Sequence, residues 1–250
     1  MVRFGSNTPC IEVRNDATGA RLVLDAGTGI VGLGEELSGS PASVPIVLTH
    51  YHWDHVQGLP LFRPVFDPHC EVAIWGPTFP GGDVQSVKNL FREPFFAMSF
   101  DRLPPHPTVH AIGPGAHEVA GFEIRAQPLT HPGGALAYRI RGDAGDFVYA
   151  TDHEFGTADV DRALLEFARG AAALVVDAQF TPEEMPGVKG WGHSSWQRAA
   201  EFARAADAGR LWLFHHKPGR SDDDLDRLVA CAREIFPSTS AASEGKAFEF

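Results

Sequence analysis

Thr49-His50-Tyr51-His52-Trp53-Asp54-His55 follows the apolar run Val44-Pro45-Ile46-Val47-Leu48 and sets three imidazoles and a carboxylate within six residues. With 12 His and 17 Asp in 250 residues, the order His-x-His-x-Asp-His arises by chance in about two of a thousand such chains. The alternative reading is a surface histidine cluster. A strand alternates its side chains, so His50 and His52 project to one side, and the turn that follows brings Asp54 and His55 round beside them. Neutral imidazole is the commonest metal ligand, and this arrangement suits two neighbouring ions.

Composition bounds what such a site acts on. The chain carries 21 Lys and Arg against 32 Asp and Glu, a net charge of −11. Affinity for nucleic acid comes mainly from neutralising phosphates, so this is the wrong sign for a general polyanion binder. The expectation is a small-molecule or nucleotide-like substrate and no extended nucleic-acid surface. Cys10, Cys70 and Cys231 are widely spaced, odd in number and without a CxxC, which points to a reducing compartment. Met1 to Ser6 has no apolar signal core, and no run of about 18 apolar residues occurs. A soluble, cytoplasmic protein without a membrane segment is expected. No linker, repeat or low-complexity stretch interrupts the chain, so residues 1–250 read as one domain.

Outward from the histidine stretch, Cys10 to Arg14 alternates like a half-buried strand, and Asn15 to Gly19 reads as the hairpin turn into Arg21 to Asp25. Ile30 to Leu37 reads as a short helix. Val56 to Phe62 begins another that Pro60 ends or kinks, and Glu71 to Trp75 is a strand. From Asp83 to Phe100, Val84, Val87, Leu90 and Phe91 fall at helical spacing and Phe95, Phe96, Met98 and Phe100 crowd together. This region, about 77–107, is read either as a packed core helix or as a hydrophobic lid or dimer surface, which leaves a homodimer open. A second sheet is expected from Thr108 to Ile112, Phe122 to Gln127, Ala135 to Arg141 and Asp146 to Ala150. A helix from Ala158 to Arg169, a buried strand Ala173 to Asp177, a helix Ser194 to Asp207, a strand Leu211 to Phe214 and a closing helix to Ile235 complete the pattern. His106, His110 and His117 stand outside any motif and read as surface or loop residues.

At these residues the chain resembles the metallo-β-lactamase superfamily, whose signature is His-x-His-x-Asp-His at the end of a strand. Its further marks follow in order: Leu129-Thr130-His131, Tyr149-Ala150-Thr151-Asp152, and Leu211-Trp212-Leu213-Phe214-His215. The resemblance implies an α/β fold, a four-layer αββα sandwich of two mixed β-sheets flanked by helices. It implies one metal held by His50, His52 and His131, a second held by Asp54, His55 and His215, and Asp152 bridging them through a shared hydroxide. His216 is the competing candidate for the last position. Asp54 counts among the catalytic residues as well as the ligands, and Asp25 sits where the family keeps an Asp that buttresses the His motif. Imidazole and carboxylate donors without Cys fit zinc best, with manganese or iron as alternatives.

The stretch Gly190-Trp191-Gly192-His193-Ser194-Ser195 is similar to the phosphodiesterase branch, which includes the tRNA 3′-end processing nuclease and cyclic-nucleotide phosphodiesterases. There the corresponding residue, here His193, assists the leaving oxygen. Lys217 and Arg220 read equally as phosphate-steering residues or as a solvated loop, while His153, Glu154 and Asp177 have no assigned role. The leading expectation is a dinuclear metal-dependent hydrolase of phosphodiesters. A lactone or thioester hydrolase and a non-catalytic metal-binding or sensing domain are the alternatives.

Overall fold

The computed structural model describes residues 3–250; Met1 and Val2, part of the stretch read as lacking a signal core, lie outside the described residues. The chain divides into two compact units, residues 7–113 with 118–122, and residues 114–117 with 123–250 and the described start of the chain.

The first unit is built on a five-stranded sheet. Strands β1 (Ile11–Arg14) and β2 (Arg21–Leu24) form an antiparallel hairpin across the Asn15 to Gly19 turn, where Asn15 Oδ1 accepts from the Ala17 and Thr18 amides. Helix α1 (Gly29–Glu36) then leads to β3 (Ser43–Val47). Helix α2 (Trp53–Val56), β4 (Glu71–Gly76), the short α3 (Gln85–Asn89) and β5 (Thr108–Ala111) follow. The order is β1-β2-β3-β4-β5, with every pair after the hairpin parallel. Val23, Ile46 and Ile74 from the strands pack with Ile30, Leu59, Phe62 and Phe91 into one core.

Strands β6 (Gly115–Val119), β7 (Phe122–Leu129), β8 (Ala135–Ile140), β9 (Phe147–Ala150), β10 (Ala173–Asp177), β11 (Arg210–Phe214) and β12 (Thr239–Ala241) form a seven-stranded sheet in the order β12-β11-β10-β9-β8-β7-β6. The strands from β9 to β12 run parallel, and β7, β8 and β9 are antiparallel. Their connections are α4 (Ala158–Ala168), α5 (Trp196–Ala205) and α6 (Asp222–Ile235). Every residue of β10 is buried, as a central parallel strand requires. Leu174 and Val176 of this strand pack with Leu164 of α4, Ala199 and Ala203 of α5, and Val229 of α6. Ser221 and Asp224 form a capping box at the start of α6, which satisfies amides that a helix start leaves open.

The expected class is therefore observed: the described residues form two mixed sheets and six α-helices. Three local expectations are corrected. Thr108 to Ile112 belongs to the first sheet, where Thr108 pairs beside Ala73, because alternation marks a strand but does not say which sheet receives it. The helix after the histidine motif starts at Trp53, earlier than expected, and gives way to a 3-10 turn at Leu59–Leu61. From Asp83 to Phe100 the only α-helix is Gln85–Asn89; Pro94, which lacks an amide hydrogen, stands where a continuation would need one. Val87, Phe91 and Phe100 are nonetheless buried in the core, while Phe95 is 76% exposed.

Candidate metal centre

In the first unit the donors are delivered by a strand end and a helix start. His50 follows β3, and α2 carries Asp54 and His55 on its first turn. The rings of His50 and His52 lie 4.6 Å apart and those of His50 and His55 4.2 Å apart, with Asp54 Oδ2 3.6 Å from His55 Nε2. Beneath them sits Asp25, fully buried. It leaves β2 in the left-handed conformation at φ 59°, and its carboxylate accepts from the Thr49 amide at 2.7 Å, the Thr49 hydroxyl at 3.0 Å and His55 Nδ1 at 2.9 Å. The Thr49 hydroxyl in turn meets His50 Nδ1 at 2.9 Å. Gly27 lets this floor close up: a Cβ there would stand 2.3 Å from the Asp54 carbonyl.

In the second unit the candidate residues come from strand ends, three of them those of the adjacent parallel strands β9, β10 and β11. His131 follows β7, Asp152 follows β9, Asp177 ends β10 and His215 follows β11. Asp152 Oδ1 lies 4.0 Å from His131 Nε2, 3.6 Å from His193 Nδ1 and 3.6 Å from His215 Nε2. Asp152 and His215, like Asp25, are left-handed, at φ 56° and 58°. Asp152, Asp177, His193 and His215 offer donor atoms that all lie within 4.8 Å of one another.

The rings are held by one rule. His131 Nδ1 donates to the Gly192 carbonyl at 2.9 Å, His193 Nδ1 to Asp177 Oδ2 at 2.7 Å, and His215 Nδ1 meets the Gln179 side-chain amide at 2.8 Å. With His50 and His55, five imidazoles are contacted at Nδ1; at His50, His55, His131 and His193 the partner is an oxygen that can accept Nδ1–H, which leaves Nε2 as the coordinating or proton-exchanging nitrogen, whereas at His215 it is the Gln179 Nε2–H donor. A donor set of imidazole nitrogens and carboxylate oxygens without thiolate suits a divalent ion of zinc type or harder. The three cysteines are unpaired thiols, and burial pushes the Cys10 thiol up.

Neighbouring residues take other parts. His216 turns to the Ala242 carbonyl at 3.1 Å, and burial lowers its pKa. His153 accepts from the Thr130 amide at 3.1 Å and meets Asp161 at 3.2 Å; burial, partly opposed by that carboxylate, holds it below the usual histidine range. Lys217 and Arg220, weighed as phosphate-steering cations, are both bound by Glu184, at 2.7 and 2.8 Å. Sequence reasoning left Asp177, Gln179 and Glu154 without roles. The signal for Asp177 was its place at a strand end and for Glu154 its place just behind Asp152; Gln179 carried none.

The comparisons agree with this chemistry. The chain is 25% identical to a Ribonuclease Z of Lacticaseibacillus casei across 80% of this chain and 75% of the relative. Among solved structures, the metallo-β-lactamase fold protein YhfI from Bacillus subtilis matches with a TM-score of 0.73, 20% identity and coverage of 98% and 92%. The short form of human tRNase Z matches with a TM-score of 0.64, 17% identity and coverage of 97% and 92%. The class defined is a metal-dependent hydrolase of the metallo-β-lactamase fold. The family model for the beta-lactamase superfamily domain matches residues 20–216, and the chain belongs to that superfamily.

The expectation of no extended nucleic-acid surface is overturned by these relatives, whose names identify them as ribonucleases. Net charge is a sum over the whole molecule, and −11 does not forbid local recognition of RNA. Among the described residues no helix is long and apolar enough to cross a membrane.

Proposed function

We propose that the protein hydrolyses a phosphodiester bond in a nucleotide-containing substrate with two divalent metal ions, zinc before manganese or iron. His50, His52 and His131 are assigned to one ion, Asp54, His55 and His215 to the other, and Asp152 to both. This distribution rests on the order of the motifs and on superfamily membership; the Nδ1–H anchoring of His50, His55 and His131 on oxygen acceptors supports it. Bound ions would supply Lewis acidity and make water a competent nucleophile near neutral pH.

The observation that carries the substrate class is the Asp177–His193 pair at 2.7 Å, with Asp152 3.6 Å from the same ring. A buried carboxylate that receives Nδ1–H orients the imidazole and stabilises its protonated form. His193 Nε2–H then donates its proton to the leaving oxygen. A phosphodiester needs that proton because its alkoxide leaves poorly, whereas a thiolate leaves without help.

The test is a substrate panel with the metal-loaded protein: bis(p-nitrophenyl) phosphate, cyclic nucleotides, short RNA, a lactone and a thioester. Turnover of the phosphodiesters is expected, with close to two transition-metal ions per chain by elemental analysis. Activity confined to the lactone or thioester would sink the proposal in favour of that hydrolase class, and metal-loaded protein inert on every ester would make it a binding domain.

A further inference from the structure

Trp191 is 61% exposed, in a loop where little else is left to chance. The Glu154 carboxylate accepts from the Gly190 amide at 2.8 Å and the Gly192 amide at 2.8 Å, so both neighbours of Trp191 are pinned to one anion. The Trp191 amide itself donates to the Val188 carbonyl at 3.1 Å. Both glycines have φ of 86°, and a Cβ on Gly192 would stand 2.1 Å from His131 Nδ1, so only glycine serves there. The next residue is His193.

An indole held this way is presented to solvent; a mobile loop would instead fold it onto nearby apolar surface. One edge contact fixes its place. Phe180, itself buried, has its ring 6.4 Å from that of Trp191 and 6.0 Å from that of His193. Trp191 and His193 therefore flank the same aromatic ring, with Lys217 Nζ 5.7 Å from its centroid. A large, fixed, exposed π-face beside a proton donor is the feature that single-stranded nucleic-acid binders use to hold a base, because every base has a face to stack.

We infer that Trp191 is a stacking platform for the nucleobase adjoining the bond that is cut, and that Glu154 is the positioning residue that presents it. This rests on the phosphodiesterase reading and adds to it a recognition element for bases. A base stacked on such a platform is worth about 10- to 100-fold in affinity.

The experiment compares adenosine 5′-monophosphate with ribose 5-phosphate, which lacks only the base, as ligands of the metal-loaded protein. Affinities come from calorimetry and from quenching of the emission of the five tryptophans. The wild type is expected to prefer the nucleotide about 10- to 100-fold, with quenching by the nucleotide alone. Trp191→Ala is expected to bring the preference to within about threefold of one and to remove the quenching. Trp191→Phe should restore at least half of the preference on a logarithmic scale, and Glu154→Gln, which retains the indole but loosens its mooring, should weaken it. A preference that survives Trp191→Ala, or a loss equal for both ligands, overturns the inference. Because binding is read directly, a protein that stacks the base but cleaves no phosphodiester would defeat the catalytic proposal alone. One that cleaves phosphodiesters with no preference for the base would defeat the platform alone.

Discussion

The two sets of candidate donors are assembled in opposite ways. In the first unit four residues within six positions, His50 to His55, are arranged by one strand end and one short helix over a single buried carboxylate. In the second unit His131, Asp152, Asp177, His193 and His215 are drawn from five separated places, and the parallel strands β9, β10 and β11 bring three of those ends side by side. A contiguous set depends on local geometry and on one brace. A dispersed set depends on the register of a whole sheet, and each member has its own support: Gly192 for His131, Asp177 for His193, Gln179 for His215.

The sharpest way to break the comparison is Asp152→Ala. Its carboxylate faces three imidazoles of the dispersed set, so metal content and turnover should fall together, turnover by about 10⁴-fold or more. Full metal occupancy by elemental analysis in that variant would remove it from the ligand set. Next in size, His193→Ala should lower turnover about 10²- to 10⁴-fold, the usual contribution of a positioned acid, with metal content unchanged. The loss should be largest for alkoxide leaving groups and small for p-nitrophenolate; an equal loss for both would make His193 a substrate-positioning group instead.

A smaller effect tests the braces. Asp25→Ala and Gln179→Ala should each weaken metal binding in chelator competition by about 10- to 100-fold, the range for groups that orient a ligand. Asp25 should be the costlier, because its loss also strands the buried Thr49 amide. If Gln179→Ala proves costlier, the contiguous set does not depend on its single brace in the way described.

The smallest effect concerns Glu184. Burial acts to raise its pKa, but hydrogen bonds from Lys217, the Thr181 amide and Arg220 outweigh this and hold it at about 2, against an ordinary value of 4.5. A carboxylate depressed on folding stabilises the native state above the ordinary value and loses that contribution as pH falls through the folded one. Glu184→Gln should therefore lower Tm by about 1–3 °C at neutral pH, as expected of a partly exposed ion pair in a chain of this size. The gap from wild type should stay flat above pH 5 and close between about pH 4.5 and 2. A gap that widens on acidification would contradict the assigned charge pairing.

What was legible follows the same division. The contiguous set announces itself, because four metal-binding side chains in one short stretch are improbable without a site. Strand and helix periods in the second unit were also readable, since β7 alternates buried and exposed along its first five residues and the closing helix carries its own cap. The supports were not legible. Gln179 and Glu154 act on residues 36 positions further along or more, His215 for Gln179 and Gly190 and Gly192 for Glu154, and nothing local identifies a partner that distant. The assignment of Thr108 to a sheet failed for the same reason: alternation is local, and pairing is not.

Asp25, Asp152 and His215 all sit in the left-handed region, where a side chain with a Cβ costs roughly 1–2 kcal/mol. Asp and His enter that region more readily than most residues with a side chain, so these three candidate residues sit at the lower end of that cost. Asparagine, which tolerates that conformation, keeps the turn while removing the charge at Asp25 or Asp152, and glycine keeps it while removing the side chain altogether. At Asp152 the glycine form should melt above the alanine form by about 2–4 °C. The loss of metal should be shared by both. If the alanine and glycine forms differ in this way, the glycine form is the better scaffold for trapping a substrate in crystals.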